Sequence, residues 1–267
     1  MKKYLAMFRI RFIAALQYRT AAYSGLVTQF AWAAMEILAF TAFYRVNPVA
    51  FPMEFSQTVA YIWLNEAFLV LFSGLISASD ISETIESGFI AYELIRPMDL
   101  YGQWFCQFIA NRLAGVGLRC VPLLLIAFII PDPYRLSLPP NIESFVLFAI
   151  STVLAVGVIA VISMLIYISV FYTLSFRGTR LVFGNITIFL SGALIPLPFF
   201  PEPFRVVAEL LPFASMQNMP FRIYSGNIGG ADAIRGIFIQ IFWLITLWLS
   251  GRLAMKRSLK RVIVQGG

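Results

Sequence analysis

Six long apolar runs dominate this chain of 267 residues, at about 22–44, 58–78, 111–130, 142–174, 181–195 and 233–254. A helix rises about 1.5 Å per residue, so about 20 apolar residues cross the roughly 30 Å hydrocarbon layer of a bilayer. Backbone amides in that layer find no water, which restricts the crossing elements to helices or a closed barrel. The runs are continuous rather than alternating, and that pattern selects helices. Hydrophobic residues make up 60% of the chain and charged residues 12%, against roughly 45–50% and 25% in soluble domains. A soluble fold of this size has too little interior to hide so much apolar surface. The expected fold is an all-α polytopic membrane protein with six transmembrane helices. It forms one domain over residues 1–267, divided into an interfacial helix at 1–20, the six-span region at 22–254 and a basic tail at 255–267.

Charge orients this arrangement. Six spans leave both ends on one side. That side then carries 15 of the 20 Lys and Arg residues, including Lys2, Lys3, Arg9, Arg11 and Arg19 at the start and Arg252, Lys256, Arg257, Lys260 and Arg261 at the end. Cations collect on the cytoplasmic side of membrane helices, so both ends are expected there. The net charge of +7 is thereby accounted for without nucleic acid. Within the first twenty residues Leu5, Phe8, Phe12, Ala15 and Leu16 share one helical face. Arginines interrupt the stretch, which fits a helix lying on the leaflet better than a cleaved signal.

Several chemistries are excluded. There is no histidine, hence no Ser-His-Asp hydrolase and no commonest metal ligand. No G-x-x-x-x-G-K-[ST] phosphate loop occurs, so ATP hydrolysis by that route is not a property of this chain. Neither H-E-x-x-H nor a cysteine cluster offers a metal site. Cys106 and Cys120 fall on one helix about 21 Å apart along its axis, far beyond disulfide reach. No internal repeat relates the two halves, which disfavours an inverted-repeat carrier.

Three polar or irregular features remain. Between the second and third runs lies Ser79-Asp80-Ile81-Ser82-Glu83-Thr84-Ile85-Glu86-Ser87-Gly88. Asp80 with Glu83 has capping-box spacing, Gly88 supplies a left-handed helix end, and a second short helix over 90–95 stops at Arg96-Pro97. Ile81, Ile85, Phe89 and Ile90 give this turn apolar residues in want of a partner surface. A docking element and a solvated turn are both open. After the fifth run come Pro196, Leu197, Pro198, Phe199, Phe200, Pro201, Glu202 and Pro203. The prolines forbid a continuous helix, and the leucine and phenylalanines suit either a re-entrant segment covered by protein or a loop resting on headgroups. Finally Glu36, Glu66 and Arg119 lie within apolar runs, and Arg112 shares a helix face with Arg119, preceded by Gln103, Gln107 and Asn111 at four-residue steps. They either pair between helices and snorkel to the interface or line a translocation path.

The motifs in this order resemble the membrane-spanning permease subunit of bacterial type 2 ATP-binding cassette (ABC) transporters, a group rich in exporters. Glu86-Ser87-Gly88-Phe89-Ile90 followed by Leu94-Ile95-Arg96-Pro97 is similar to the family pattern E-x-G-x-[IL]…L-x-x-P after its second span. Leu190-Ser191-Gly192-Ala193-Leu194-Ile195-Pro196-Leu197 running into Phe200-Pro201 looks like its segment after span five, and Leu211-Pro212-Phe213 precedes Tyr224-Ser225-Gly226 in the same way. The resemblance implies a coupling helix that contacts a cytoplasmic ATPase, carried here by Asp80, Glu83, Glu86, Gly88, Arg96 and Pro97. It implies an outer gate at Pro196, Leu197, Phe199, Phe200 and Pro201, within a re-entrant stretch between spans five and six. It also implies a second permease half, the same chain or another, and ATP with Mg bound by the separate ATPase rather than by this chain. The expected activity is export of an amphiphilic or lipophilic substrate across a bacterial cytoplasmic (inner) membrane. An ion-coupled secondary transporter using Glu36 and Glu66 is the alternative.

Overall fold

The computed structural model describes residues 2–17, 19–47, 51–73, 80–95, 97–173 and 175–260. Among them the regular structure is helical. In chain order the helices are α1 (Lys2–Leu16), α2 (Arg19–Val46), α3 (Phe55–Ala67), α4 (Leu69–Phe72), α5 (Asp80–Glu86), α6 (Ile90–Leu94) and α7 (Leu100–Ile129). They continue with α8 (Ile142–Thr173), α9 (Phe176–Leu190), a 3-10 turn at Leu197–Phe199, α10 (Glu202–Leu210), α11 (Asn218–Tyr224) and α12 (Gly230–Leu259). Among the described residues four helices are long and apolar enough to cross a membrane: Tyr23–Val46, Leu100–Ile129, Ile142–Thr173 and Gly230–Leu259. The chain is a multi-pass membrane protein.

The core forms around α3 and α8. Every residue of α3 from Thr58 to Ala67 is buried, the condition of a helix enclosed on all sides. Its entrance is fixed by a reciprocal capping box between Glu54 and Gln57, which satisfies two otherwise free amide groups. α8 packs along α12, α11, α9 and α7, and Ala155 to Ile162 presents small and β-branched residues that are mostly buried. The outward faces of α2, α7 and α12 keep Phe43, Leu125, Ile129, Phe238 and Leu249 exposed, as lipid-facing surfaces do.

Two apolar runs differ in form from the expectation. The run at 58–78 is interrupted: α3 stops at Ala67, Phe68 leaves helical geometry, and α4 adds one turn. Neither proline nor glycine marks this break. Arg112 Nη1 on α7 instead donates to the Val70 carbonyl at 3.0 Å, so a side chain from elsewhere supplies the interrupted backbone with a partner. The run at 181–195 becomes α9, which starts earlier, at Phe176, and spans 15 residues. That is about 22 Å of helix, short of a full bilayer thickness. The third run starts at Leu100, where the Asp99 carboxylate accepts from Gly102 N at 2.9 Å, and α1 packs against α7.

Candidate functional sites at the two ends of the bundle

The start of α7, the ends of α8 and α12, and α1 meet at one end, here the basic end. Lys3 Nζ donates to the Pro97 carbonyl at 3.2 Å, Arg252 lies 3.6 Å from Asp99, and Ser258 Oγ donates to the Tyr172 hydroxyl at 3.0 Å. The Asp80–Pro97 segment sits here. Ile81 and Ser82 are buried and Ile85 packs on the core, so α5 lies flat against α8. Gly88 has φ +77, and a Cβ there would meet nothing within 4 Å. The left-handed turn reads directly from the sequence, and only its strain favours glycine. Beyond it Ile90 turns inward, while Phe89, Tyr92 and Ile95 remain 61, 67 and 80% exposed. The sequence treated Ile81, Ile85, Phe89 and Ile90 as one set of partnerless apolar residues. The fold divides them, keeping three for its own core and adding Tyr92 and Ile95 to the free set.

Two carboxylates fasten the segment. Glu86 Oε1 accepts from Phe176 N at 2.6 Å, which places a negative charge on the free amides at the start of α9, where the helix dipole favours it. Glu93 Oε2 accepts from Trp104 Nε1 at 2.7 Å, and Trp104 stacks on Phe171 of α8. The sequence named Glu86 and missed both partners, which lie 90 and 11 positions away. The remaining candidates are simpler. α5 begins at Asp80, whose side chain lies outside the described residues, as does Arg96. Glu83 is exposed and its carbonyl accepts from Ser87 N at 2.9 Å; Pro97 is exposed.

At the opposite end the proline-rich stretch is folded into the bundle. Tyr61 OH donates to the Gly192 carbonyl and Asn65 Nδ2 to the Ala193 carbonyl, each at 2.9 Å. Asn65 lies ten residues into α3, about 15 Å from its start, so α9 ends well inside the bundle. Leu197 is fully buried, with Pro196 and Pro198 also buried, Phe199 and Phe200 half-buried and Pro201 exposed. Phe199 meets Phe40 with ring centres 5.1 Å apart, and Phe200 meets Phe189 at 5.2 Å. Within this stretch α11 is largely buried. Its Phe221 touches the rings of Tyr61, Phe68 and Phe72 at 5.5 to 5.9 Å, and Asn218 Oδ1 accepts from Leu197 N. Gln240 of α12 ties this end together, donating to the carbonyls of Ser215 at 2.8 Å and Ser151 at 3.1 Å and accepting from Ser151 Oγ at 3.0 Å.

The intramembrane polar residues lie on α2, α3 and α7. Glu66 is buried, its carbonyl accepting from Gln29 Nε2 at 2.8 Å, and Glu36 lies on α2. Arg112 serves the broken α4 and lies over the Phe108 ring at 5.2 Å. The Arg119 guanidinium presses on the Gly25 position of α2, and Asn111 is exposed. Gln103 and Gln107 are buried.

A family model described as ABC-2 family transporter protein matches residues 26–266. No curated protein matches the chain.

Proposed function

Because the chain belongs to the ABC-2 transporter family, a family of membrane permeases, we propose that it is the transmembrane subunit of an exporter driven by a separate ATPase. The observation that carries this reading is the exposed trio Phe89, Tyr92 and Ile95 at the basic end. An apolar cluster of this kind, ringed by polar residues on a surface that faces water, is a protein-docking surface. In this reading Asp80, Glu83, Glu86, Gly88, Arg96 and Pro97 frame the coupling element. The ATPase grips the trio, and ATP with Mg is bound by that partner. Glu86 holds the amide of Phe176, so displacement of α5 acts directly on the start of α9. That helix ends against Gly192 and the outer segment, which gives a mechanical route between the two ends.

The reading further assigns six crossings, with α3–α4 and α9 as the two short ones, and both termini in the cytoplasm of a bacterial inner membrane. Pro196, Leu197, Phe199, Phe200 and Pro201 with α11 form a re-entrant outer gate, and a second permease half, identical or not, completes the path. The substrate is amphiphilic or lipophilic, in keeping with apolar surfaces throughout the bundle, and the chain is one permease domain. Purification of the chain with a co-expressed phosphate-loop ATPase, followed by reconstitution, tests the reading. ATP-driven transport is expected, and Phe89→Asp with Ile95→Asp should abolish both co-purification and transport without lowering the yield of permease. Transport that persists without any ATPase overturns it in favour of an ion-coupled carrier using Glu36 and Glu66.

A further inference from the structure

Four charged side chains converge on one cavity at the end opposite the coupling segment. α10, α11 and the first turns of α12 line a half-open pocket of about 380 Å³ there, within the range of small-ligand sites. Two of the charges are already matched. Arg222 Nη1 lies 2.5 Å from Glu209 Oε1, and Arg222 Nε donates to Asn227 Oδ1 at 2.7 Å. The pair is well shielded on the arginine side, which is 14% exposed, and a paired charge needs no further partner. The other two are unmatched. Asp232 and Arg235 stand one helical turn apart on α12 and both line the cavity. Residues at that spacing are neighbours that commonly pair. Among the described residues these two exposed side chains form an ion pair neither with each other nor with Glu209.

The residual charge of the cavity is therefore one cation and one anion, held apart. A purely anionic ligand would meet Asp232, and a purely cationic one would meet Arg235. A ligand bearing both charges satisfies both residues without leaving a like charge opposed. The surroundings specify the rest of the ligand. Val206 and Leu210 of α10 also line the cavity, and on the same helix Phe204, Val206, Val207 and Leu210 keep large apolar surface exposed. Such a helix, apolar along its outer face, lies at a membrane interface.

We propose that this cavity binds the zwitterionic headgroup of an amphiphile, with its phosphate on Arg235 and its ammonium on Asp232 while the chain runs out along Val206 and Leu210. The site deepens the exporter reading by naming a headgroup class, and it rests on that reading only for its position at the outer leaflet. Trp243 supplies a local reporter, because its indole N–H donates to the Leu210 carbonyl at 2.8 Å.

The purified full-length permease, without ATPase, is titrated in detergent with phosphatidylethanolamine, with phosphatidylglycerol or with soluble glycerophosphoethanolamine. Bound ligand is counted by native mass spectrometry, and quenching by brominated acyl chains is compared between wild type and Trp243→Phe. Phosphatidylethanolamine should be retained roughly tenfold better than phosphatidylglycerol, the effect of about one charge-assisted hydrogen bond. Asp232→Asn should remove that preference, whereas Arg235→Gln should weaken retention of both lipids, with unchanged melting in each because both side chains are exposed. Displacement by glycerophosphoethanolamine identifies the headgroup alone as ligand, whereas displacement only by the full lipid shows that the acyl chain contributes. Equal retention of the two lipids by wild type, a preference that survives Asp232→Asn, or undiminished retention of both lipids by Arg235→Gln overturns the proposal. Loss of selectivity alongside intact ATP-driven transport removes this site alone. Selective binding without ATP-driven transport removes only the exporter reading.

Discussion

Gly88 and Gly192 have almost the same backbone, φ +77 and φ +78, yet they serve opposite surroundings. A Cβ on Gly88 would enter open space, whereas one on Gly192 would strike the Tyr61 hydroxyl and come within 3.2 Å of Asn218 Cβ. The two glycines stand for the two regions around them. The Asp80–Pro97 segment spends three isoleucines on the core and leaves an aromatic and aliphatic patch free. The segment from Gly192 to Tyr224 buries Leu197, Ala214, Met216 and Phe221, leaves the outer face of α10 exposed, and is hydrogen-bonded to α3 and α12. The basic end has a surface free for a partner to grip. The opposite end is packed into the bundle, so movement there must break internal contacts.

The largest expected effect tests that contrast directly. Gly192→Ala should destabilise by about 2–5 kcal/mol, combining left-handed strain with overpacking, and Gly88→Ala by about 1–2 kcal/mol from strain alone. Thermal melting of the detergent-solubilised variants decides the matter, and equal losses would break the comparison. Gln240→Leu comes next. It leaves the Ser151 and Ser215 groups without their buried partner, a loss of about 1–3 kcal/mol, seen as a lower melting temperature with faster proteolysis of the segment between α9 and α12. The smallest effect is at the basic end. Glu86→Ala removes the acceptor for Phe176 N and should lower stability by about 0.5–2 kcal/mol, as for a lost helix cap. Glu86→Gln, which keeps an acceptor oxygen, should recover most of it. If ATP turnover of the reconstituted complex falls far more than melting does, the Glu86–Phe176 bond transmits motion as well as holding the helix.

Much of this was legible in the sequence because it is local. Gly88 followed by Phe89 and a short helix ending before Arg96-Pro97 is written in neighbouring residues, and the structure has α6 at Ile90–Leu94 and the left-handed glycine in place. The break at Phe68 is not written locally. No helix breaker precedes it, and the arginine that serves the nearby Val70 carbonyl lies 42 positions beyond Val70. The burial of α11 is not local either: Asn218 to Tyr224 reads as a mixed apolar segment until α3 and α8 pack against it.

By itself the sequence determined the solvent of this protein and its family, since apolar run length, charge asymmetry and ordered motifs survive without knowledge of any contact. Which apolar residues are spent inside and which stay free was decided only by tertiary packing. Burial depends on what lies across the bundle. Ile90 and Ile95 are alike in composition and five positions apart, but one reaches the core and the other stands 80% exposed.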